Sequence, residues 1–311
     1  MQNLLYHIFI VILAIVLAPL LPGIINKVKA FFAGRRGPRV TQLYFDLSKL
    51  VKKECVVSSS SGGIIRIAPA VILGFTVVAL ILLPVPGVCP VLSFTGDAIM
   101  FFYLLGSARM LMVLAALDTA SSFEGMGSSR ELFFSALAEA AIFAVLTFLV
   151  IFSGRVDLYG MLCGGGVDSW MTLTPVLLAA TAMFLVALAE NCRVPFDDPE
   201  THLELTMIHE AMILDYAGPD LAAILYASAL KLWIFAGFIT AMLIPPGIMV
   251  WYYEIAVYLA GTIGIMVLIG IVESSMARYR FLKVPPLLIA AAVLPVLAIL
   301  FCIYFITGGV Q

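Results

Sequence analysis

Acidic residues concentrate in one stretch of this sequence, and carboxylates are the side chains best suited to handle protons or cations. Residues 190–220 read ENCRVPFDDPETHLELTMIHEAMILDYAGPD and lie between two long apolar runs. Eight of the 19 acidic residues fall here: Glu190, Asp197, Asp198, Glu200, Glu204, Glu210, Asp215 and Asp220. Carboxylates at a bilayer are costly unless they move ions or contact a partner. We therefore expect most of the function at this loop.

A helix is predicted inside this stretch, from Asp198 to Tyr216. Asp198-Pro199-Glu200 has the N-cap, the N1 proline and the first-turn acid of a helix start, and Gly218 would close the helix. Glu200 and Glu204 are four residues apart, so they share a helix face and repel each other. This repulsion raises the proton affinity of at least one of them.

Two histidines, His202 and His209, add groups to this helix that titrate near neutral pH. The same helix carries apolar residues at Met207, Met212 and Ile213. This half-apolar pattern favours a helix packed under protein, and a solvated acidic surface helix is the alternative.

Further ionisable residues lie inside or at the edges of the apolar runs. They are Arg109, Asp118, Glu139, Glu190, Lys231 and Glu273. An unpaired charge in hydrocarbon costs several kcal/mol, so such groups normally face a bundle interior and pair. One interpretation is a set of structural ion pairs, and the other is a hydrated proton path from the loop towards the middle of the membrane. We favour the path for Glu139 and Glu190, and both interpretations stay open for Arg109 and Lys231.

The elements that must position these residues are transmembrane helices. The chain is 63% hydrophobic and 12% charged, against about 25% charged in soluble domains. Apolar runs near the ~20 residues needed to cross a bilayer recur along it. The eight predicted spans are Leu4–Ile24, Arg66–Leu83, Ile99–Ala116, Leu132–Ser153, Thr172–Ala189, Leu221–Pro245, Trp251–Val272 and Pro286–Ile306. The fold class is therefore an all-α polytopic membrane protein, with residues 1–311 as a single integral membrane domain and no sign of nucleic-acid binding.

Lysine and arginine predict the orientation. The first, third, fifth and seventh links between spans hold 14 of these residues, including Arg35, Arg36, Arg39, Arg278 and Arg280, whereas the other links hold only Arg155. Basic residues mark the cytoplasmic side of a membrane protein. We expect a multi-pass protein of the cell inner membrane with its large loops in the cytoplasm.

The first link contains a predicted amphipathic helix, Thr41–Lys53. Its apolar residues, including Leu43, Leu47 and Leu50, recur at helical spacing, while Asp46 lies elsewhere on the wheel. A plain interfacial anchor is one role for it, and shaping an entrance or docking a soluble subunit is the other. With Arg35, Arg36 and Arg39 just before it, we predict a docking surface.

The sequence offers no sign of a redox centre of its own. The cysteines Cys55, Cys89, Cys163, Cys192 and Cys302 are isolated, without the paired spacing of zinc or Fe–S ligands. No phosphate-binding loop, zinc-protease motif or dinucleotide fingerprint is found. We expect no catalytic residue, metal site or cofactor in this chain.

Several motifs resemble a known family. The segment Glu190…Arg193-Val194-Pro195-Phe196-Asp197 with Pro199-Glu200 resembles the ETNRxPFDxPE signature of complex I subunit 1, the bacterial H subunit. Three other segments are similar to further motifs of that family: Arg36-Gly37-Pro38 with Asp46, Arg130 with Glu139, and Arg278-Tyr279-Arg280. The resemblance runs from Arg35 to about Lys283, which is most of the chain.

Departures from the complex I pattern point to a particular branch. His202 stands where the family's EGExE motif has its central glutamate. Phe281 stands where the family has an acidic residue directly after its RxR motif. The strings LDTASSFEGMGSSRE and ESSMARYR resemble the membrane subunit of group 4 membrane-bound NiFe-hydrogenases, such as those of the formate hydrogenlyase and hydrogenase-4 type. This resemblance implies an eight-helix membrane subunit that couples electron transfer to proton or sodium translocation.

The resemblance also implies partners and roles. The partners would be hydrogenase-like large and small subunits, which hold the NiFe centre and Fe–S clusters, antiporter-like membrane subunits, and lipid. Ion coupling would fall to Asp118, Glu139, Glu190, Glu200, Glu204, Glu210, Asp215 and Glu273. Docking or structural roles would fall to Arg35, Arg36, Arg39, Asp46, Arg130, Arg193, Asp197, Arg278 and Arg280.

Three other functions remain open at this point. One is the quinone-site subunit of a complex I-type NADH dehydrogenase, although the missing family acids weaken the case for a quinone pocket. Another is a stand-alone secondary transporter, for which the usual internal repeat is not visible. The third is a passive scaffold whose membrane acids can be neutralised without loss of activity.

Overall fold

A computed structural model describes residues 2–57, 61–85, 87–88, 90–164, 170–197, 207–244 and 251–308. In these ranges the chain is all-α, apart from a single isolated bridge between Val85 and Val88, which confirms the predicted fold class. The helices are α1 (Gln2–Leu17), α2 (Leu20–Phe32), α3 (Gln42–Leu50), α4 (Ile64–Leu82), α5 (Asp97–Asp118), α6 (Ser122–Ser153), α7 (Leu158–Cys163), α8 (Trp170–Glu190), α9 (His209–Met212), α10 (Gly218–Leu243), α11 (Trp251–Ser275) and α12 (Val284–Gly308).

Seven of these helices are long and apolar enough to cross a membrane, namely α4, α5, α6, α8, α10, α11 and α12. The pair α1 and α2 makes an eighth if it counts as one span. The protein is therefore a multi-span membrane protein. The amphipathic helix of the first link is present as α3, and it packs against α2 and α10.

Two helices, α1 and α2, replace the single straight span Leu4–Ile24 expected from the sequence. Helices α1 and α2 meet at an angle of 50°. Proline has no backbone N–H, so Pro19 leaves the carbonyl of Ile15 without its helical donor. The Tyr226 hydroxyl of α10 donates to that carbonyl at 2.8 Å, and the Tyr44 hydroxyl of α3 donates to the carbonyl of Val16. The kink is thus tied to α3 and α10.

The predicted helix Asp198–Tyr216 is wrong over its described part. Residues 198–206, which include Glu200, His202 and Glu204, lie outside the described residues. From residue 207 to 217 only α9 is helical, a single turn, and Gly218 begins α10 instead of closing a helix.

Carboxylates from other segments accept hydrogen bonds from backbone N–H groups of this loop. This explains why the helix does not extend. The Ile208 N–H donates to Asp197 Oδ2 at 3.0 Å, and the Asp215 N–H donates to Glu124 Oε1 at 3.1 Å. These carboxylates compete with the helical i−4 carbonyls for the same donors. Helical sequence pattern alone does not reveal such distant acceptors.

Helix α10 lies at the centre of the bundle. In its most apolar window 72% of the residues are buried, against 22% for α12. Helix α10 packs against α4, α8 and α11, while α12 packs against α6 and α8. The described parts of four links meet at one end of the bundle, which we call the first-link face; these parts are 33–57 with 61–63, 119–121, 191–197 with 207–217, and 276–280. The Tyr279 N–H, for example, donates to the Pro195 carbonyl at 3.0 Å.

Candidate functional site

Four transmembrane helices bring two cations and two carboxylates together inside the bundle. Arg109 Nη2 of α5 lies 2.8 Å from Glu139 Oε1 of α6, and Arg109 Nη1 contacts Glu190 at the end of α8. Lys231 Nζ of α10 lies 2.9 Å from Glu190 Oε2 and donates to the Glu190 carbonyl at 2.6 Å. We call Arg109, Glu139, Glu190 and Lys231 the membrane ion-pair cluster.

The membrane ion-pair cluster is closed at one end and open at the other. The Glu190 side chain is 3% exposed, whereas the Glu139 side chain is 51% exposed and lies beside the small cavity between α5 and α6. Pairing two cations with Glu190 offsets the desolvation cost of a buried carboxylate. The cluster therefore offers a charged route from the buried end of α8 to the outer surface of α6.

A cavity of about 210 Å³ adjoins the cluster. Its polar lining comprises Thr76, Arg109, Glu131, Glu190, Asn191, Cys192, Arg193, Asp197, His209, Glu210, Ser228 and Lys231. Its apolar lining includes Leu43 of α3, Ile72 of α4 and Met112 of α5. The cavity joins the membrane ion-pair cluster to the described residues, 191–197 and 207–217, of the link between α8 and α10, which we call the acidic loop.

A second set of ion pairs fixes the loop to the first-link face. Glu273 of α11 lies 3.2 Å from Lys29 and 3.5 Å from Arg193. Asp197 lies 2.9 Å from Arg278, in the link after α11. These pairs hold the two halves of the chain together at the mouth of the cavity.

Two loop residues beside the cavity have perturbed proton affinities. Burial, assisted by the cations Lys231 and Arg193, lowers the pKa of His209 to about 4, so His209 is neutral at pH 7. Its Nε2 lies 3.4 Å from the Ser228 hydroxyl. Burial and the neighbouring Asp197 raise the pKa of Glu210, and Arg193 opposes the shift. Glu210 therefore takes up a proton more readily than a solvated glutamate does.

Other residues predicted from the sequence lie away from the cavity. Asp118 caps α4, because its Oδ2 accepts the N–H groups of Ile64 at 3.2 Å and Ile65 at 3.4 Å. The backbone N–H of Asp215 donates to Glu124 Oε1 at 3.1 Å. Asp46 accepts from Gln42 at 2.9 Å within α3.

The predicted docking arginines divide into exposed and bonded residues. Arg35, Arg36, Arg39 and Arg280 are exposed on the first-link face. Arg130 donates to the Met207 carbonyl at 3.3 Å, and its guanidinium lies over the Phe281 ring at 5.8 Å. Arg130 therefore connects α6 with the acidic loop and with the link before α12.

Sequence reasoning missed two buried carboxylates of α6, Glu124 and Glu131. The predicted fourth span began at Leu132, whereas α6 begins at Ser122 and includes both residues. Glu124 is fully buried and Glu131 is 7% exposed. Glu131 directly follows Arg130 and precedes an apolar run, and that position was the signal available in the sequence.

Among the described residues there is no group of three or more His, Cys, Asp or Glu side chains placed to hold a metal ion. Among the described residues, Cys55, Cys163, Cys192 and Cys302 form no disulfide with one another. Cys192 lies in the cavity wall, where burial and neighbouring carboxylates raise the pKa of its thiol well above the usual value. A protonated thiol is a poor metal ligand and a poor nucleophile.

Comparisons with known proteins agree with this architecture. The family model described as NADH dehydrogenase matches residues 4–305. Hydrogenase-4 component C of Escherichia coli (strain K12) is 30% identical over 279 residues, which cover 88% of this chain and 87% of that protein. Formate hydrogenlyase subunit 4 of the same organism is 30% identical over 287 residues, which cover 90% and 92%.

More distant similarities extend to other complexes. The H subunit of the NADH-quinone oxidoreductase of Chelativorans sp. (strain BNC1) is 22% identical over 283 residues, covering 82% of this chain and 80% of that protein. A chain from the membrane-bound sulfane sulfur reductase, an archaeal respiratory membrane complex, superposes with a TM-score of 0.81 at 21% identity. That match covers 96% of this chain and 100% of the other, and it shows a shared fold.

Proposed function

The chain belongs to the NADH dehydrogenase family, and we propose that it is the membrane-anchoring and ion-coupling subunit of a membrane-bound hydrogenase-type respiratory complex. In this role it links electron transfer in a soluble module to the movement of protons or sodium ions across the membrane. The whole chain, residues 1–311, acts as one membrane domain. The two relatives at 30% identity, from hydrogenase-4 and formate hydrogenlyase, support the hydrogenase-type assignment.

The membrane ion-pair cluster beside the cavity is the observation that carries the proposal. Carboxylates and cations placed in series inside a bundle are costly, and they are typical of ion pathways and proton relays. Glu190 and Glu139 form the described part of such a series, and Glu210 extends it into the loop. Glu200 and Glu204 complete it in the proposal, with Glu273 anchoring the loop.

Asp118 and Asp215 contribute less directly to ion coupling in this proposal. Asp118 caps α4, and the backbone of Asp215 is bonded to Glu124. Their proposed contribution to ion coupling is therefore to keep the first-link face in place around the cavity mouth.

Partner subunits carry the electron chemistry in this proposal. The hydrogenase-like large and small subunits hold the NiFe centre and the Fe–S clusters, and they dock on the first-link face through Arg35, Arg36 and Arg39. Exposed aromatic residues flank these arginines, with Phe31 80% exposed and Phe32 57% exposed. Antiporter-like subunits and lipid cover the outer faces of the helices.

The basic residues of the first-link face support an orientation with this face in the cytoplasm and the chain in the cell inner membrane. In this orientation the soluble module and the acidic loop are on the same side. Protons or sodium ions then enter the cavity next to the module in which electrons are transferred.

A quinone-site subunit is the second candidate, and the cavity is the observation that favours it. Its apolar wall and charged end fit a ligand with a hydrophobic body and a polar head. More distant relatives at 22–27% identity are subunits of NADH-quinone and NADH-ubiquinone oxidoreductases. The two candidates differ in whether quinone is reduced.

Purification of the native complex through a tag on this chain separates the candidates. In mild detergent, the hydrogenase-type assignment predicts co-purified large and small subunits, bound nickel and iron, and hydrogen turnover with an artificial electron carrier. A complex without nickel that reduces an added quinone would support the quinone-site assignment instead. A chain that purifies alone and transports a solute would contradict both.

A further inference from the structure

Glu131 is a buried carboxyl that the described contacts leave nearly unbonded. It lies on α6, is 7% exposed, and lines the cavity between the membrane ion-pair cluster and the loop. Among the described residues, the hydrogen-bond contact of its carboxyl is with the Cys192 thiol, Sγ to Oε2 at 3.9 Å. A thiol is a weak donor, so this contact does little to stabilise a carboxylate.

Charged groups surround Glu131 from several elements. Those acting on its carboxyl are Lys231 of α10, Arg109 of α5, Glu190 of α8 and Asp197 of the loop. The cavity adds His209, Glu210 and Arg193 on the loop side. Helix α12 packs closely against α6 but contains no charged residue between Val284 and Gly308.

The neighbouring charges are already balanced without Glu131. Arg109 and Lys231 carry two positive charges, and their ion-pair partners Glu139 and Glu190 carry two negative charges. On the loop side, Glu273 is shared by Arg193 and Lys29, Asp197 is paired with Arg278, and an ionised Glu210 balances the remaining cation. An ionised Glu131 would therefore add an uncompensated buried charge, which costs several kcal/mol. The neutral carboxylic acid is the resting form that avoids this cost.

We propose that Glu131 is the proton carrier between the acidic loop and the membrane ion-pair cluster. This rests on the proposed function and assigns it a residue that was not among the ion-coupling residues expected from the sequence. Glu131 releases its proton towards Glu190, and the two cations Arg109 and Lys231 stabilise the carboxylate that remains. A proton from Glu210, on the loop side, then restores the acid.

Each transfer is balanced and involves no electrons. One O–H bond breaks at the donor carboxyl and one forms at the acceptor oxygen, directly or through water in the cavity. The cavity volume of about 210 Å³ is enough for several water molecules, each of which takes about 30 Å³ in the liquid. Glu131, Glu190 and Glu210 line this one cavity, so water within it can connect the three carboxyls.

Replacement of Glu131 by glutamine and by aspartate tests the proposal in the intact complex reconstituted into vesicles. Glutamine keeps the size and cannot carry a proton, whereas aspartate keeps the carboxyl. Glu131→Gln should slow ion translocation by roughly 100-fold or more at equal hydrogen turnover, because a positioned acid–base group contributes about 10²–10⁴-fold to a proton-transfer step. Glu131→Asp should retain at least about half of the parent rate, because the carboxyl remains.

The control is Ser135→Ala, one turn later on α6. Ser135 is buried and does not line the cavity, so this variant should translocate ions like the parent. Hydrogen turnover with an artificial carrier, measured on solubilised complex, should be unchanged in all three variants because the soluble module is intact. Infrared difference spectra should show a protonated carboxyl band that is absent in Glu131→Gln and shifted in Glu131→Asp.

The outcomes separate this inference from the function on which it rests. If the parent complex translocates no ions during hydrogen turnover, the proposed function fails. If the parent translocates ions and Glu131→Gln does so equally, Glu131 is not the carrier. If Glu131→Gln does not assemble, Glu131→Asp decides: an unshifted carboxyl band and an unchanged pH dependence of translocation would overturn the proposal.

Discussion

Arg109 pairs with the buried carboxylate of Glu190 and with the exposed carboxylate of Glu139. The buried pair should contribute more to the stability of the protein than the exposed pair. Removing Arg109 by Arg109→Met leaves Glu190 buried with only Lys231 as its cation. Breaking a buried pair in this way costs about 3–5 kcal/mol, whereas an exposed pair contributes about 0–1 kcal/mol. Thermal unfolding of the purified complex should therefore show a large loss of stability for Arg109→Met and a small loss of stability for Glu139→Gln. Equal losses would contradict the buried position of Glu190.

His209 makes stability depend on pH in the acidic range. Its pKa falls from 6.5 to about 4 on folding, so the unfolded chain binds a proton that the folded chain does not. Stability is fully present above pH 6.5 and is lost as the pH falls towards 4. From pH 7 to pH 5 the loss is about 2 kcal/mol.

Melting temperatures of the parent and of His209→Gln, each at pH 7 and pH 5, measure this effect. The variant should lose less stability on acidification than the parent does. The raised pKa of Glu210 acts in the opposite direction, since its contribution is lost as the pH rises from about 4.5 through its folded value. An identical acid sensitivity in the parent and in His209→Gln would show that His209 is not the responsible group.

At the scale of elements, the backbone of Val40, in the link before α3, packs closely against Gly23 of α2. A Cβ there would lie 2.1 Å from the Val40 carbonyl oxygen, which leaves no space without displacing the link before α3. We expect Gly23→Ala to expose residues 33–41 to trypsin and to weaken attachment of the soluble module. Gly74→Ala is the matched control, because its Cβ would meet nothing within 4 Å.

The control should also be slightly more stable than the parent. Alanine in a helix interior is favoured over glycine by roughly 0.5–1 kcal/mol. If both variants digest at the parent rate, the approach of Val40 to α2 does not position the first link.

Sequence patterns predicted the membrane helices well because a run of about twenty apolar residues that crosses a bilayer must bond its own backbone groups, and a helix does so. Span boundaries were less accurate where a helix begins before its most apolar run, as α6 does at Ser122, ten residues before the predicted start at Leu132. That extension hid Glu124 and Glu131. The kink at Pro19 was missed because its freed carbonyls are bonded by Tyr226 and Tyr44, which are distant in sequence.

The acidic loop shows the limit of local reasoning most clearly. The capping residues Asp198, Pro199 and Gly218 favoured one long helix, but the carboxylates of Asp197 and Glu124 accept from the backbone N–H groups of residues 208 and 215. Charge pairing was also beyond prediction, since Arg109 and Glu190 are 81 residues apart. Residue types identified Glu139 and Glu190 as candidates, and only the fold showed that Arg109 joins them.

At the scale of the whole molecule, the first-link face should hold the soluble module by charge. Arg35, Arg36 and Arg39 are exposed and lie next to α3. Replacing all three with alanine removes fixed cations that an acidic partner surface would bind. We expect hydrogenase activity to move from the membrane fraction to the soluble fraction, and more completely at high salt. Lys52→Ala, an exposed basic residue of the same link outside the arginine group, is the single-charge control.

Retention of all hydrogenase activity on membranes from the triple variant would contradict docking through these arginines. Loss of activity from both fractions would indicate failed assembly. The level of this chain in the membrane, measured by immunoblot, distinguishes that case from release of the module.

The central claim is that carboxylates of this chain couple ion movement to hydrogen turnover. The most direct test is to reconstitute the complex in vesicles and to measure internal pH or sodium together with hydrogen, for the parent and for single glutamine variants of Glu139, Glu190, Glu200 and Glu204. The account predicts fewer ions translocated per hydrogen in these variants, with carrier-supported hydrogen turnover intact and with Glu139→Gln correctly assembled. Parental ion-to-hydrogen ratios in all four variants would contradict it.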